Sequence, residues 1–271
     1  MPELPEVETT RSGIAPFLVG ETISDVRIRE KRLRWPVPGQ LRKNLTGQKI
    51  QKIDRRAKYL LFYTDSGCML IHLGMSGSLR IVNQQTPVKT HDHVDFMVGN
   101  DCCLRFHDPR RFGSIHWTTI DPYTHKLLNK LGPEPLSEEL NADYLYRASR
   151  KRIQSVKNFI MDSHIVVGIG NIYANEALFA AGIHPKRKAG KVSLQRYERL
   201  SDAIKLVLDK AIQKGGTTLR DFVNGEGKPG YFSQELKVYD RAGLQCVNCD
   251  SIIKTERLGQ RSTFFCSHCQ H

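Results

Sequence analysis

The first group of residues whose types and spacing could do chemistry lies at the start of the chain. After Met1 the sequence reads PELPEVE, so removal of Met1 would leave Pro2 with a free secondary amine, close to Glu3 and Glu6. An N-terminal amine has a pKa near about 8, so an appreciable fraction is unprotonated at neutral pH and is nucleophilic. Attack on a sugar aldehyde carbon would give an iminium, whereas a retained Met1 would make the nitrogen an amide.

The same segment also suits the start of an ordinary helix. Proline is favoured in the first turn, and acidic side chains stabilise the positive end of the helix dipole. Taken alone, these residues favour that simpler interpretation.

The second group is a set of four cysteines. CVNC at residues 246–249 and CSHC at residues 266–269 are separated by sixteen residues. This spacing is typical of a structural zinc site, in which Cys246, Cys249, Cys266 and Cys269 would bind one Zn²⁺. Such a site has no open coordination position, so the metal would fold the tail and would not catalyse. Two disulfides and an iron–sulfur cluster are the alternatives.

Composition limits the class of protein. Of 271 residues, 39% are hydrophobic and 25% charged, which is ordinary for a globular chain large enough for two domains. Subtracting 28 acids from 41 bases gives a net charge of +13, so a polyanion is the leading candidate partner. With no apolar run of membrane-spanning length and no secretory signal, we expect a cytoplasmic protein. Cys68, Cys102 and Cys103 lie in strand-like segments, which predicts small buried side chains.

The positive charge is concentrated in three segments. Their members are Arg27, Arg29, Lys31, Arg32 and Arg34; Lys52, Arg55, Arg56 and Lys58; and Arg147, Arg150, Lys151, Arg152 and Lys157. Each cluster alone is typical of a solvated basic face. Three clusters in one chain favour contacts with phosphates, which dominate the affinity of proteins for nucleic acids.

The elements that must position these groups change along the chain. A helix is predicted over 5–18, followed by short strands over 22–29, 48–53, 59–63, 68–73, 79–82, 93–98, 103–107 and 114–117. Helical periodicity then predicts helices over 138–148, 153–161, 172–181 and 193–214. The pattern indicates a multidomain α+β fold: an N-terminal β-sandwich with a leading helix, a linker at LGPEP (131–135), and a helical domain.

Glycine-rich segments follow the last predicted helix. GG at 215–216 and NGEGKPG at 224–230 predict a mobile loop, and the cysteine tail after it is predicted to form two short hairpins around the metal.

Three turns carry side chains suited to nucleic acid. VGIGN at 167–171 precedes a helix, so backbone amides and Asn171 could approach a phosphate there, although a ligand-free turn fits equally well. LGMSG at 73–77 and DPRRFG at 108–113 carry Met75, Arg110 and Phe112 at strand ends. These groups suit a protein that enters a duplex and fills the gap left by an extruded base. Taken separately, the two turns are also typical of ordinary core-packing turns.

Seven segments in order resemble the bacterial formamidopyrimidine-DNA glycosylase family. They are PELPEVE (2–8), RAKYL (56–60), HLGMSG (72–77), DPRRFG (108–113), VGIGNIYA (167–174), GKPGYF (227–232) and the four-cysteine tail. Together they span nearly the whole chain.

The resemblance implies a bifunctional base-excision repair enzyme. It would remove oxidised purines, chiefly 8-oxoguanine and formamidopyrimidines, and then cleave the strand by β,δ-elimination. In the family pattern, Pro2 is the nucleophile at the sugar C1′ and Glu3 is the acid that helps to open the sugar ring. Lys58 matches the lysine of phosphate binding and β-elimination, and Arg261 matches the zinc-hairpin arginine of δ-elimination. Glu6 is a candidate assisting group.

The resemblance also implies the DNA-binding residues. Met75, Arg110 and Phe112 would fill the void or enter the stack, and Thr217, Lys228 and Tyr231 fall in the loop that closes over the flipped base. Contacts to the DNA backbone would come from His91, Arg110, Arg152, Lys157 and Asn171, the last at the second helix of a helix-two-turn-helix. The implied partner is damaged double-stranded DNA, bound by a monomer with one structural Zn²⁺, no organic cofactor and no membrane.

The expected domains are a catalytic β-sandwich (1–120), a linker (121–135), a helix-two-turn-helix domain ending in the lesion-capping loop (136–230), and a zinc finger (237–271). The nearest alternative is an endonuclease VIII-like glycosylase for oxidised pyrimidines. That branch typically begins PEGPE, so Leu4 favours the purine branch. A non-enzymatic zinc-ribbon protein that binds DNA is less favoured, since it gives no reason for the Pro2–Glu3 pair.

Overall fold

A computed structural model describes residues 2–216 and 235–271. Within them the chain forms two compact units, one of residues 2–129 and 214–216, the other of residues 130–213 and 235–271. The expected α+β class, with a β-sandwich, a helical part and a four-cysteine tail, is confirmed. Of the helices in the described residues, none combines the length and apolarity needed to cross a membrane.

The first unit begins with helix α1 (Leu4–Leu18), close to its predicted bounds. Glu3 is the N-cap, and α1 buries an apolar face that includes Val7, Ile14 and Leu18. A short helix, α2 (Leu41–Leu45), was not predicted, because one turn is too short to show a helical period.

Two four-stranded antiparallel sheets follow. Their strands are β1 (Ile23–Ile28), β2 (Lys52–Arg56), β3 (Tyr59–Thr64), β4 (Gly67–His72), β5 (Ser78–Asn83), β6 (Asp92–Val98), β7 (Cys102–His107) and β8 (Ser114–Thr118). One sheet has the order β1-β6-β7-β5 and the other β2-β3-β4-β8. Phe62 from one sheet and Phe96 and Phe106 from the other are fully buried in a common apolar core, which also includes the inner face of α1. This core makes the two sheets a sandwich.

Strand β2 lies about four residues later than predicted. The apolar residues near Ile50 suggested a strand over 48–53, but the ladder with β3 runs from the Lys52–Tyr63 pair to the Arg56–Tyr59 pair. Only Ile53 of β2 is buried, so the sequence of this strand carries almost no alternation to detect.

The second unit contains four helices and a hairpin. Helices α3 (Ala142–Ser149), α4 (Val156–Met161), α5 (Asn171–Ala180) and α6 (Leu194–Gln213) are joined to the tail strands β9 (Lys254–Leu258) and β10 (Arg261–Phe265). α3 starts four residues later than predicted, where the Asn141 side chain accepts a hydrogen bond from the Tyr144 backbone N–H. The cysteine tail forms one β-hairpin, β9–β10, and not the two that were predicted. The segment around Cys246 and Cys249 has an isolated bridge between Gln245 and Ile252 in place of a second hairpin.

A buried carboxylate attaches the tail to the helices. The Glu176 side chain in α5 accepts hydrogen bonds from the backbone N–H groups of Lys237, Val238 and Tyr239 at 2.8–2.9 Å. These hydrogen bonds favour the charged carboxylate and so lower its pKa, but burial outweighs them and raises the pKa of Glu176 above its ordinary value. Three backbone donors on one side chain fix the direction in which the chain enters the cysteine region.

Candidate active site and metal centre

The N-terminal acids form a fixed pair at the start of α1. Glu3 and Glu6 are each only 2% exposed and form a capping box. The Glu3 backbone N–H donates to Glu6 Oε2 at 2.8 Å, and the Glu3 side chain accepts a hydrogen bond from the Glu6 backbone N–H. Pro2 directly precedes this box in the chain, at the N-terminal end of α1, which is the positive end of the helix dipole. Met1 lies outside the described residues.

Gly216 lies against the Glu6 carboxylate. A Cβ atom on Gly216 would be 2.9 Å from Glu6 Oε1, and the backbone has φ +80° there. Both the space and the conformation therefore require glycine. Gly215 and Gly216 were expected only as part of a loop. Two consecutive glycines directly after a long helix are the sequence signal from which such a close approach could have been inferred.

Lys58 lies in the tight turn between β2 and β3. Arg55 fixes that turn, donating from Nη1 to the Ala57 carbonyl at 3.0 Å and from Nε to Glu8 Oε2 at 2.9 Å. Ala57 has φ +55°, an uncommon conformation for a residue with a side chain. Burial raises the pKa of Glu8, but hydrogen bonds and charge from Arg11 and Arg55 hold it below its ordinary value. The charged Glu8 thus connects α1 to the Lys58 turn.

His72, at the end of β4, is a neutral hydrogen-bond acceptor. Burial, with the positive charges of Lys58 and Arg34, lowers its pKa to about 4. Its Nδ1 accepts a hydrogen bond from the Gly74 backbone N–H at 3.0 Å. The lowered pKa keeps this acceptor available at neutral pH, at the start of the turn that carries Met75.

Met75 and Phe112 are exposed, and the structure brings their turns together. Their exposed fractions are 37% and 44%, high for large apolar side chains. The Arg110 guanidinium lies 4.9 Å from the centre of the Phe112 ring, a cation–π contact. His91, another expected DNA contact, is also exposed, with φ +72° and its ring 6.1 Å from the ring of His107.

In the second unit, Arg261 is exposed at the start of β10. Lys157, in contrast, does not lie at the surface, where a phosphate contact would require it. Lys157 is fully buried, and its ammonium group donates to the Ser262 carbonyl at 3.0 Å and to Thr263 Oγ1 at 2.8 Å. The expectation of a phosphate contact from Lys157 is therefore corrected: its charge binds the zinc hairpin. Asn171 donates to the same Ser262 carbonyl at 3.0 Å.

The three basic clusters differ in how much of their positive charge is already paired within the protein. In the first, Arg29 pairs with Asp95 and Arg32 with Glu30, so acids offset much of the charge. In the third, Arg150 stacks on Tyr146 and donates to backbone carbonyls, so its guanidinium is already bound within the protein. Lys151 and Arg152 are exposed beside it.

The four tail cysteines form a metal-binding geometry. The Sγ atoms of Cys246, Cys249, Cys266 and Cys269 all lie within 4.8 Å of one another, with the closest pairs at 3.6 Å. A tetrahedral zinc ion with Zn–S bonds of about 2.3 Å separates its sulfurs by about 3.8 Å, so the set fits Zn²⁺. Backbone N–H groups of Asn248 and Cys269 point at the sulfurs, an arrangement that stabilises thiolates. Cys68, Cys102 and Cys103 are unpaired and lie in the strands of the other unit.

Sequence comparison accounts for most of the chain. Residues 1–115 match the formamidopyrimidine-DNA glycosylase N-terminal domain, residues 131–223 match the H2TH domain of the same enzymes, and residues 243–271 match the zinc finger found in FPG and IleRS. The chain belongs to the formamidopyrimidine-DNA glycosylase family.

Known members of the family are similar over their full length. The chain is 57% identical to the formamidopyrimidine-DNA glycosylases of Marinobacter nauticus and Methylococcus capsulatus, covering 100% of each chain in both cases. A crystal structure of a mutant FPG from Lactococcus lactis, in complex with DNA containing Fapy-dG, is 34% identical with a TM-score of 0.92 and covers 100% of both chains.

The sequence did not predict two features of this site: the Arg55–Glu8 ion pair and the hydrogen bond from Ser76 to the buried Asp108. Both are pairings between distant segments, which a single sequence does not display. Thr217, Lys228 and Tyr231, expected in the lesion-capping loop, lie outside the described residues.

Proposed function

We propose that this chain is a bifunctional DNA glycosylase and AP lyase that removes oxidised purines, chiefly 8-oxoguanine and formamidopyrimidines, from double-stranded DNA. The observation that carries the proposal is the position of Pro2. It directly precedes a buried capping box in which Glu3 and Glu6 are held, at the head of a helix in a chain that matches the family over its full length.

The first step is a displacement at the sugar. With Met1 removed, the Pro2 nitrogen uses its lone pair to form a bond to C1′, and the bond from C1′ to the damaged base breaks. The Pro2 nitrogen then loses its proton, and the departing base takes up one proton, so the base leaves as a neutral molecule. Glu3 donates a proton as the C1′–O4′ bond opens, which leaves an iminium between Pro2 and C1′. Glu6 is proposed to assist by holding the Glu3 backbone N–H in the capping box, at 2.8 Å.

The later steps are eliminations. The iminium withdraws electrons, so the C2′ proton becomes acidic; its loss expels the 3′ phosphate, and a second elimination expels the 5′ phosphate. Lys58 is proposed for the proton transfer of the first elimination and for binding its phosphate. Arg261 is proposed for the phosphate of the second, where its permanent charge stabilises the leaving group. Water then hydrolyses the remaining iminium and frees Pro2.

DNA is proposed to be bound by exposed groups of both units. His91, Arg110 and Arg152 would contact backbone phosphates, and Asn171 would do so from the start of α5, where the helix N-terminus favours an anion. Met75, Arg110 and Phe112 would fill the space left by the extruded base or enter the stack. Thr217, Lys228 and Tyr231 keep their proposed place in the lesion-capping loop. The one structural Zn²⁺ folds the hairpin that carries Arg261.

The proposed domain boundaries remain 1–120, a linker at 121–135, 136–230 and 237–271. The three family matches, at 1–115, 131–223 and 243–271, support this division. We further propose that the enzyme acts as a monomer in the bacterial cytoplasm, associated with the nucleoid through DNA binding. No organic cofactor is needed by the reaction as written.

Borohydride trapping tests the nucleophile. We expect the protein without Met1 to form a covalent adduct with DNA containing 8-oxoguanine, and peptide mapping to place the sugar on Pro2. A form that keeps Met1 is the matched control and should form no adduct, because its Pro2 nitrogen is an amide. An adduct on another residue, such as Lys58, or equal trapping by both forms would contradict the proposal.

Substrate choice is tested with two duplexes. We expect faster excision of 8-oxoguanine opposite cytosine than of thymine glycol opposite adenine. The reverse order would assign the chain to the oxidised-pyrimidine branch.

A further inference from the structure

A buried carboxylate joins the two turns that carry Met75 and Phe112. We name residues 73–77 the Met75 turn and residues 108–113 the Phe112 turn. Asp108 is fully buried, and its two oxygens have different partners. Oδ1 accepts a hydrogen bond from the Ser76 hydroxyl at 2.7 Å, and Oδ2 accepts one from the Gly113 backbone N–H at 2.8 Å. The Asp108 side chain thus binds Gly113, at the far end of the Phe112 turn, and Ser76 in the Met75 turn.

Ser76 makes the connection in both directions. Its hydroxyl donates to Asp108 and accepts a hydrogen bond from the Arg110 backbone N–H at 3.2 Å. Because both bonds of this hydroxyl cross from one turn to the other, the two turns cannot shift independently without leaving buried polar groups unpaired.

The backbones of the two turns are also in direct contact. A Cβ atom on Gly74 would lie 2.3 Å from the Phe112 carbonyl carbon, and Gly74 has φ +67°. Only glycine permits this approach. The Asp108 carbonyl is held in turn by the His93 ring, whose Nε2 lies 2.8 Å away. The exposed Met75 and Phe112 side chains therefore project from one rigid base.

We propose that Asp108 and Ser76 are positioning residues that hold Met75, Arg110 and Phe112 as one preformed group, and that this group sets how efficiently a damaged base is extruded from a duplex. This inference rests on the proposed function. Entering a base stack costs less when the inserted side chains are already ordered, because no conformational entropy is then lost on binding. Both residues are buried, so both are proposed to act through the side chains that they position.

The test compares a reaction that needs extrusion with one that does not. Ser76→Ala is measured for excision of 8-oxoguanine from a duplex and for cleavage of a single-stranded oligonucleotide containing an abasic site. Loss of the crossing bonds should lower duplex excision roughly tenfold or more, since bonds to a buried charge are the strong ones. Single-strand cleavage should change less than about twofold, because it uses the chemical groups and has no stack to open.

Two further variants and a control keep the result interpretable. Asp108→Asn retains the shape of the side chain but loses its charge, and Gly74→Ala forces the turns apart; both should show the same selective loss. Ser114→Ala is the control, because Ser114 is a buried serine next to the Phe112 turn whose hydroxyl has no hydrogen-bond partner in the described structure. It should behave like the unmodified protein in both assays.

A second readout follows extrusion itself. 2-Aminopurine placed beside the lesion should brighten as the stack opens when the unmodified protein is added, and brighten more slowly with Ser76→Ala. Equal losses on duplex and single strand, or unchanged duplex excision, would overturn the positioning role. Failure of the unmodified protein to excise any damaged base would instead overturn the proposed function, so the two failures are distinguishable.

Discussion

Lys157 in α4 donates a hydrogen bond from its ammonium group to Thr263 Oγ1 in β10, at a distance of 2.8 Å. Its second bond goes to the Ser262 carbonyl, which also accepts from Asn171. Asn175 accepts a hydrogen bond from the Phe264 backbone N–H at 2.9 Å, so three side chains of the helical region hold the strand that begins with Arg261. We infer that the buried ammonium group of Lys157 positions the hairpin that carries Arg261.

We therefore expect Lys157→Met to destabilise the hairpin without changing the number of phosphate contacts. Loss of a buried, charge-assisted bond should lower the free energy of unfolding by about 1–3 kcal/mol. The slope of log K against log salt for DNA binding should stay the same. Thermal unfolding and a salt titration measure the two quantities.

Arg152→Ala is the complementary variant, because Arg152 is exposed in the same region. For this variant, the slope of log K against log salt for DNA binding should fall in magnitude by about 1. The free energy of unfolding should change by less than about 0.5 kcal/mol. If Lys157→Met flattened the slope and left stability intact, Lys157 would be a phosphate contact after all.

Metal removal should disrupt the tail. Cys246→Ser removes one of four zinc ligands, so we expect less than one Zn²⁺ per chain and a displaced hairpin, because binding of the metal supplies much of the folding energy of such small sites. DNA binding should weaken as Arg261 loses its position. Metal analysis and a binding titration check both effects, with Cys102→Ser as control, since Cys102 lies in β7, outside the four-cysteine cluster. Full affinity in a zinc-free protein would contradict the expectation.

Stability should fall between pH 6.5 and pH 4 because of His72. Its pKa is lowered from 6.5 to about 4 in the folded protein, so the unfolded chain binds a proton first as the pH falls. The contribution of neutral His72 is complete above pH 6.5 and is lost progressively down to pH 4. Burial and nearby positive charge also lower the pKa of His116 to about 4. Protonation of His116 in the unfolded chain should therefore cause a similar loss of stability over the same pH range.

His72→Asn isolates this contribution. The Asn oxygen can accept the Gly74 N–H bond, but the side chain does not titrate. We expect the free energy of unfolding, measured in urea at several pH values from 7 to 4, to fall less in this variant than in the unmodified protein. The contribution of His116 to the fall should remain. An unchanged pH dependence would show that His72 is not held neutral.

The sequence predicted what depends on local spacing. The cysteine pairs, the turns that separate the strands, and the long helix α6 were all within a few residues of their positions, because spacing and periodicity are local properties. The bonds that organise the site are not local. Lys157 and Ser262 are 105 residues apart, and a lysine beside several other basic residues is expected in solvent, not under a hairpin.

The last prediction concerns the connection between α1 and Lys58. Glu8 pairs with both Arg11 and Arg55, but only Arg55 also donates to the Ala57 carbonyl, next to Lys58. Arg55→Ala should therefore loosen the turn that presents Lys58, and Arg11→Ala should not. Both variants remove one partner of Glu8, so the pair controls for the change in charge.

We expect Arg55→Ala to slow strand cleavage more than base excision, because Lys58 is proposed to act in the elimination and Pro2 in the first step. A loss of roughly tenfold in cleavage of a preformed abasic site, with excision of 8-oxoguanine within about threefold, would fit removal of one or two hydrogen bonds to a part-buried arginine. Arg11→Ala should leave the ratio of the two rates unchanged. If both variants altered the ratio equally, the effect would come from Glu8 and α1, and the Arg55–Ala57 bond would have no role in placing Lys58.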